Sequence, residues 1–195
     1  MKRREALSLL GLGSLSAAFD WSPVDIERAS RKVREVRTAA RAFDPQFFTP
    51  HEWETVRTLV DIVIPKDERS GSATDAGVPE FMDFVMTDRP SAQVPMRGGL
   101  AWLDAQCEER FGKTFVQCAD AERKAVLDDI AWPKRAKPEH SHGVAFFNSF
   151  RDLTATGFWT TKMGIDDLRY IGNTFVTQWN GCPPEALAKL GVQQS

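Results

Sequence analysis

Thr49-Pro50-His51-Glu52-Trp53-Glu54-Thr55-Val56-Arg57-Thr58-Leu59-Val60-Asp61-Ile62-Val63-Ile64-Pro65 reads as one complete helix with both ends marked. Thr49 is an N-cap, Pro50 takes the first helical position, where no N–H is needed, and Glu52 stands three residues after the cap, as a reciprocal capping box requires. Trp53, Val56, Leu59, Val60 and Val63 recur at helical spacing and form one apolar stripe, and Pro65 ends the pattern.

The same period continues outward from this stretch. After a small, polar segment from Lys66 to Gly77, which reads as a surface loop, Val78, Phe81, Met82, Val85 and Met86 repeat at near-ideal helical steps. Met96, Leu100, Leu103, Cys107 and Phe111 mark a further helix behind Pro95, Val126, Leu127, Ile130 and Ala131 another, and Phe146, Phe147, Phe150 and Leu153 a last one. Nowhere do apolar residues alternate as in a strand series. The reading is an all-α domain, a compact bundle of about six helices joined by short loops. Beyond Thr156, Gly157-Phe158-Trp159, Gly164, Gly172 and Asn180-Gly181-Cys182-Pro183-Pro184 interrupt the pattern, so the C-terminal part reads as an irregular aromatic tail lying across a surface.

Upstream, Asp44-Pro45 closes an earlier helical pattern in which Ile26, Ala29, Val33, Val36, Ala40 and Phe43 form a narrow stripe among Arg28, Arg31, Lys32, Arg34, Arg37 and Arg41. Such a basic amphipathic helix suits a solvated linker, an anionic lipid surface or an acidic groove of a partner. Before it, Lys2-Arg3-Arg4 and the apolar run Ala6–Phe19 resemble a twin-arginine export signal, with Glu5 and Ala6 departing from the usual pattern. The run is too short and too rich in glycine and serine to span a bilayer. Three segments follow: 1–20 as a targeting segment, 21–46 as a basic amphipathic helix or linker, and 47–195 as the helical domain.

The chain of 195 residues, 42% hydrophobic and 27% charged, suffices for one core. Its net charge of −2 is uneven: nine Lys/Arg against six Asp/Glu up to residue 48, then sixteen against twenty-one. An acidic main body argues against a nucleic-acid-binding domain. Six tryptophans and thirteen phenylalanines against one tyrosine are much apolar surface for this length, enough to expect some of it at an interface.

Catalytic constellations are sparse. His51-Glu52 begins like a zinc-protease helix, but Thr55 stands where the second histidine belongs. His140 and His142 flank Ser141 and could hold a metal with a third ligand from elsewhere, the basis of an alternative reading as a stand-alone metal-dependent enzyme. A Cys182 and His142 pair has no oxyanion-hole signature. Gly11-Leu12-Gly13 lacks the later glycine and the strand of a phosphate loop, and three cysteines cannot by themselves ligate a four-cysteine iron–sulfur cluster. Cys107 and Cys118 read as small buried hydrophobes. Cys182, between Gly181 and Pro183, is the best candidate for an intermolecular disulfide, the alternative being an inert thiol under Trp179.

The run Phe48–Glu52 leading into Leu59-Val60-Asp61-Ile62-Val63-Ile64-Pro65, then Ser72–Val78 with Phe81-Met82-Asp83, resembles the gluconate 2-dehydrogenase subunit 3 family. Phe111-Gly112-Lys113, Phe146-Phe147, Leu153-Thr154, Gly164, Tyr170-Ile171-Gly172-Asn173 and Trp179-Asn180-Gly181-Cys182-Pro183 extend the resemblance over residues 47–184. It implies a non-catalytic small subunit of a dehydrogenase acting on sugars, glycosides or sugar acids. In such complexes a glucose-methanol-choline-type large subunit carries FAD and the catalytic base, and a cytochrome c can accept the electrons. The small subunit bears the export signal, here Arg3 and Arg4, and the folded partner travels with it to the periplasm or the periplasmic face of the inner membrane. The alternative location is the cytoplasm. On this reading the chain itself holds no cofactor or metal, and Phe146, Phe147, Phe158, Trp159, Tyr170, Trp179 and Cys182 form the partner interface. A third possibility is a periplasmic or membrane-surface binding protein using the basic helix.

Overall fold

Glu52 N–H donates to Thr49 Oγ1 at 3.3 Å, and Thr49 N–H donates back to Glu52 Oε2 at 2.8 Å, closing the expected capping box. The computed structural model describes residues 22–38, 43–169, 177–178 and 181–191. Among these, nine helices and no strand occur: α1 (Pro23–Thr38), α2 (Pro50–Val63), α3 (Ala73–Ala76), α4 (Val78–Asp88), α5 (Pro90–Phe111), α6 (Asp120–Ala131), α7 (Ser141–Trp159), α8 (Lys162–Asp167) and α9 (Pro184–Leu190). Six of them have eleven or more residues, in agreement with an all-α bundle of about six helices. Arg3, Arg4, Ala40, Tyr170 and Trp179 lie outside the described residues.

The core forms where α4 and α7 meet the other helices. Val78, Met82, Val85 and Met86 of α4 are fully buried, as are Phe150, Leu153 and Phe158 of α7, with Leu103 of α5 and Val126 and Ile130 of α6 packed around them. Each large side chain taken from water here contributes about 1.5–3 kcal/mol. The crossing of α5 and α7 is set by two reciprocal contacts. A Cβ on Gly99 would stand 1.8 Å from Phe146 Cδ2, and one on Gly143 would stand 2.6 Å from the Trp102 ring. Each helix therefore removes a side chain where the other inserts an aromatic ring.

Several expectations from the sequence change. The Lys66–Gly77 loop contains α3: Ser72 caps it, its Oγ accepting from Asp75 N–H at 3.3 Å while Ser72 N–H donates to Asp75 Oδ2 at 3.0 Å. Ahead of it Asp67 gathers the N–H groups of Ser70 and Arg69, which holds its carboxyl below the usual range. Helix α5 starts at Pro90 and runs through Pro95, which lies early enough to cost a single intrahelical hydrogen bond. Gly157 and Gly164 sit inside helices where the reading expected breaks. Cβ atoms there would reach Phe81 at 2.8 Å and the Phe158 carbonyl oxygen at 2.2 Å. These glycines mark close approach between elements. Helix α1, expected as a basic amphipathic helix or linker, lies on the bundle: Ala29 and Val33 are buried, mostly against α4.

Asp83, on α4, is the fully buried acid of the core. Its Oδ2 accepts Gln46 N–H at 2.9 Å, and its Oδ1 accepts Phe47 N–H at 2.9 Å and Phe48 N–H at 3.1 Å. From the other side, Arg97 of α5 donates to Phe47 O at 2.7 Å, pairs with Glu52 at 3.0 Å and lies 4.5 Å over the Phe47 ring. The segment that leads into α2 is thus held by two helices distant in sequence.

Two measurements check this account. In urea denaturation, Gly99→Ala should lose about 1–3 kcal/mol through overpacking against Phe146, whereas the neighbouring Gly98→Ala, with open space around it, should gain about 0.5–1 kcal/mol. Asp83→Asn, which sets an amide N–H against a backbone N–H, should cost about 3 kcal/mol.

Candidate functional site

The expected interface aromatics separate into two groups. Phe146, Phe147 and Phe158 are core residues, all less than a tenth exposed. Helix α7 is covered by α4, α5, α6 and α8 at once, so its aromatic stripe is enclosed where a helix packed on one side would show part of it. Trp159 is half-buried, edge-on to Phe158 with ring centroids 4.9 Å apart. Cys182 is exposed, and Tyr170 and Trp179 lie outside the described residues.

The apolar side chains left in water lie elsewhere, and Val24 of α1 and Val94 of α5, 63% and 79% exposed, are among them. Trp132, at the C-terminal end of α6, is 60% exposed, Leu168 lies just beyond α8 and Ile165 within it, and Leu190 on α9 is 72% exposed. No residue of α9 is buried. Short isolated helices are marginal in water without a tertiary partner. The sequence reading missed this group because it took its anchors from the aromatics after Phe146, and Trp132 precedes them while Ile165, Leu168 and Leu190 are aliphatic. The signal present was Trp132-Pro133, a bulky residue at a helix stop.

A cleft of about 410 Å³ runs beside α1, with Val33, Phe81 and Met163 on its apolar wall and Arg34, Arg37 and Lys162 at its margin. Arg37 donates to the Asp75 carbonyl oxygen at 2.7 Å, and Lys32 and Arg28 pair with Asp88 of α4 at 3.2 and 3.8 Å. The stripe on α1 that would enter a lipid surface is thus occupied by the bundle, and part of its positive charge is matched within the chain.

The histidines do not converge. His140 is buried edge-on to Trp102, centroids 5.9 Å apart, and His142 is exposed. Among the described residues no group of three or more His, Cys, Asp or Glu is placed to hold a metal ion. His51 Nε2 instead lies 2.6 Å from Asp104 Oδ2, whose other oxygen accepts Phe115 N–H at 2.8 Å. This ties the start of α2 to α5, a pairing over 53 residues that no local pattern announces.

A family model described as gluconate 2-dehydrogenase subunit 3 matches residues 50–180, two thirds of the chain. The chain belongs to this family. Membership makes it a component of a multi-subunit dehydrogenase complex. No curated protein and no solved structure gives a significant match. The matched segment begins at the first residue of α2 and runs past α8. Helix α1, Cys182 and α9 fall outside it.

Within this subunit 3 chain the three thiols differ sharply. Cys107 and Cys118 are buried and Cys182 is exposed. Burial, reinforced by the Cys118 thiol beside it, pushes the Cys107 thiol up to about 12. A folded thiol raised from 9 contributes stability that is fully present below pH 9 and is lost as pH climbs toward 12. In the reduced protein at neutral pH, an aromatic disulfide reagent should therefore titrate Cys182 quickly, with Cys107 and Cys118 reacting only on unfolding. Cys182→Ser should remove the fast phase, and unfolding should become easier between pH 9 and 12.

Proposed function

We propose that the chain is the non-catalytic small subunit of an FAD-dependent dehydrogenase that oxidises a sugar, glycoside or sugar acid. It docks on a glucose-methanol-choline-type large subunit, stabilises that flavoprotein's fold as a chaperone does, and lends it the export address at Arg3 and Arg4. The complex then works in the periplasm or on the periplasmic face of the inner membrane, with a cytochrome c as electron acceptor. The catalytic base and the flavin belong to the partner.

The observation that carries this reading is the C-terminal segment. Cys182 is exposed, and α9 has no fully buried residue, with Leu187 half-buried and Leu190 72% exposed. A helix with so little cover among the described residues gains it by packing against another protein. Trp132 and Leu168 add apolar surface of the kind that anchors interfaces once water is excluded. Cys182 would add a covalent link to the large subunit, and the half-buried Trp159 at the end of α7 is retained as a further contact residue.

Purification of the tagged chain from its native cells under non-denaturing conditions tests the assignment. A larger, yellow partner with the absorption spectrum of oxidised flavin should accompany it, together with a heavier band on non-reducing electrophoresis that reduction removes and Cys182→Ser abolishes. Recovery of a colourless single chain, stable and monomeric, would sink the assignment.

A further inference from the structure

Helix α5 ends at Gly112, whose left-handed backbone (φ 67°) reverses the chain, its N–H donating to Glu108 O at 3.0 Å. The turn that follows is fastened back on α5. Phe115 N–H donates to Asp104 Oδ1 at 2.8 Å, the Phe115 ring is fully buried, and Arg123 Nε–H donates to Phe115 O at 2.9 Å. Gln117 and Cys118 N–H groups both donate to Thr114 O, at 3.0 and 3.1 Å, which fixes where Cys118 comes down. Asp104, which receives the Phe115 N–H, lies one turn before Cys107 on the same helix. Both cysteines are in the core, 0% and 3% exposed, Cys118 is the neighbour that acts on the Cys107 thiol, and Cys118 also neighbours the Glu122 carboxylate.

We propose that Cys107 and Cys118 form an intrachain disulfide that locks the α5–α6 turn. The exchange balances with a small-molecule disulfide as oxidant. The Cys118 thiolate displaces one thiol from the oxidant and forms a mixed disulfide, and the Cys107 thiolate then attacks Cys118 Sγ and releases the second. Two protein thiols are oxidised, one external disulfide is reduced to two thiols, and the two protons lost by the protein are taken by the two leaving groups. The nucleophile is the thiolate, which deep burial disfavours, so exchange takes place while the 112–118 turn is open, and closure of the turn protects the bond. Only ten residues separate the pair, so the link reinforces a turn that native contacts already define. It also leaves Cys182 as the odd thiol. The proposal concerns this chain alone and stands or falls independently of the flavoprotein partner.

The full-length Cys182→Ser chain, which retains both buried cysteines and changes only an exposed one, is unfolded under reducing conditions. It is then refolded in parallel with oxidised and reduced glutathione or with reductant alone. The glutathione sample should show no titratable thiol after denaturation, remain monomeric, and yield on non-reduced digestion a linked pair of peptides containing Cys107 and Cys118. Its Tm should lie several degrees above that of the reductant sample, and reduction should abolish the difference. Two free thiols, or two glutathione adducts, in a soluble folded product would overturn the proposal. So would a linked form that melts below the reduced one, because the native turn would then not accommodate the bond.

Discussion

A carboxylate without access to water must be surrounded by donors, and Asp83 meets this condition only if Gln46, Phe47 and Phe48 present their backbone N–H groups to it. That requirement fixes the chain three residues before the Thr49 cap, and hence the position from which α2 departs. Arg97 enforces the same placement from α5, through the Phe47 carbonyl and the Glu52 carboxylate that also closes the capping box. Three helices far apart in sequence therefore meet at a seven-residue segment, and a change at Asp83 acts on all of them. Breaking one partner leaves a buried charge or an orphaned donor, which is why such a knot is either complete or strongly destabilising.

The packing of α5 on α7 follows the same logic in apolar form. Gly99 and Gly143 each leave space for a ring from the other helix, so the helices approach closely and the rings of Phe146 and Trp102 fill the gap. This absorbs much of the aromatic content that in the sequence looked like surplus. With Phe146, Phe147 and Phe158 inside, the proposed partner contact would draw instead on Trp132, Leu168 and the C-terminal helix, where apolar atoms remain in water.

Legibility in the sequence tracked how local the deciding interaction is. Helix α2 could be read because Thr49, Pro50 and Glu52 define its start within four residues and Pro65 its end. Helix α3 carries the same kind of cap, Ser72 with Asp75, but four residues offer no periodic stripe, so the segment read as loop. Gly157 was taken for a break because a glycine's need for space is visible only once Phe81 stands beside it. Helical periodicity shows which face of α7 is apolar. It does not show that neighbours cover that helix on several sides. Asp83, His51 with Asp104, and Cys107 with Cys118 are pairings across a turn or across whole helices, which spacing alone does not bring together.

Helix α9 brings these constraints to bear on assembly. The bundle from α1 to α8 already satisfies its own core, and the family match closes before Cys182. A seven-residue helix forms few internal hydrogen bonds and gains little from propensity, so its order must come from contacts. Leu187 is only half-buried and Leu190 is 72% exposed. In the proposed complex the large subunit provides that missing face, and docking is coupled to ordering of this segment. Part of the gross interaction free energy then goes into fixing the tail, which makes the apolar contact alone a modest anchor. A covalent bond at Cys182, immediately before the helix, would convert that modest and reversible contact into a lasting one, since the segment held by the disulfide has only to settle locally onto its site.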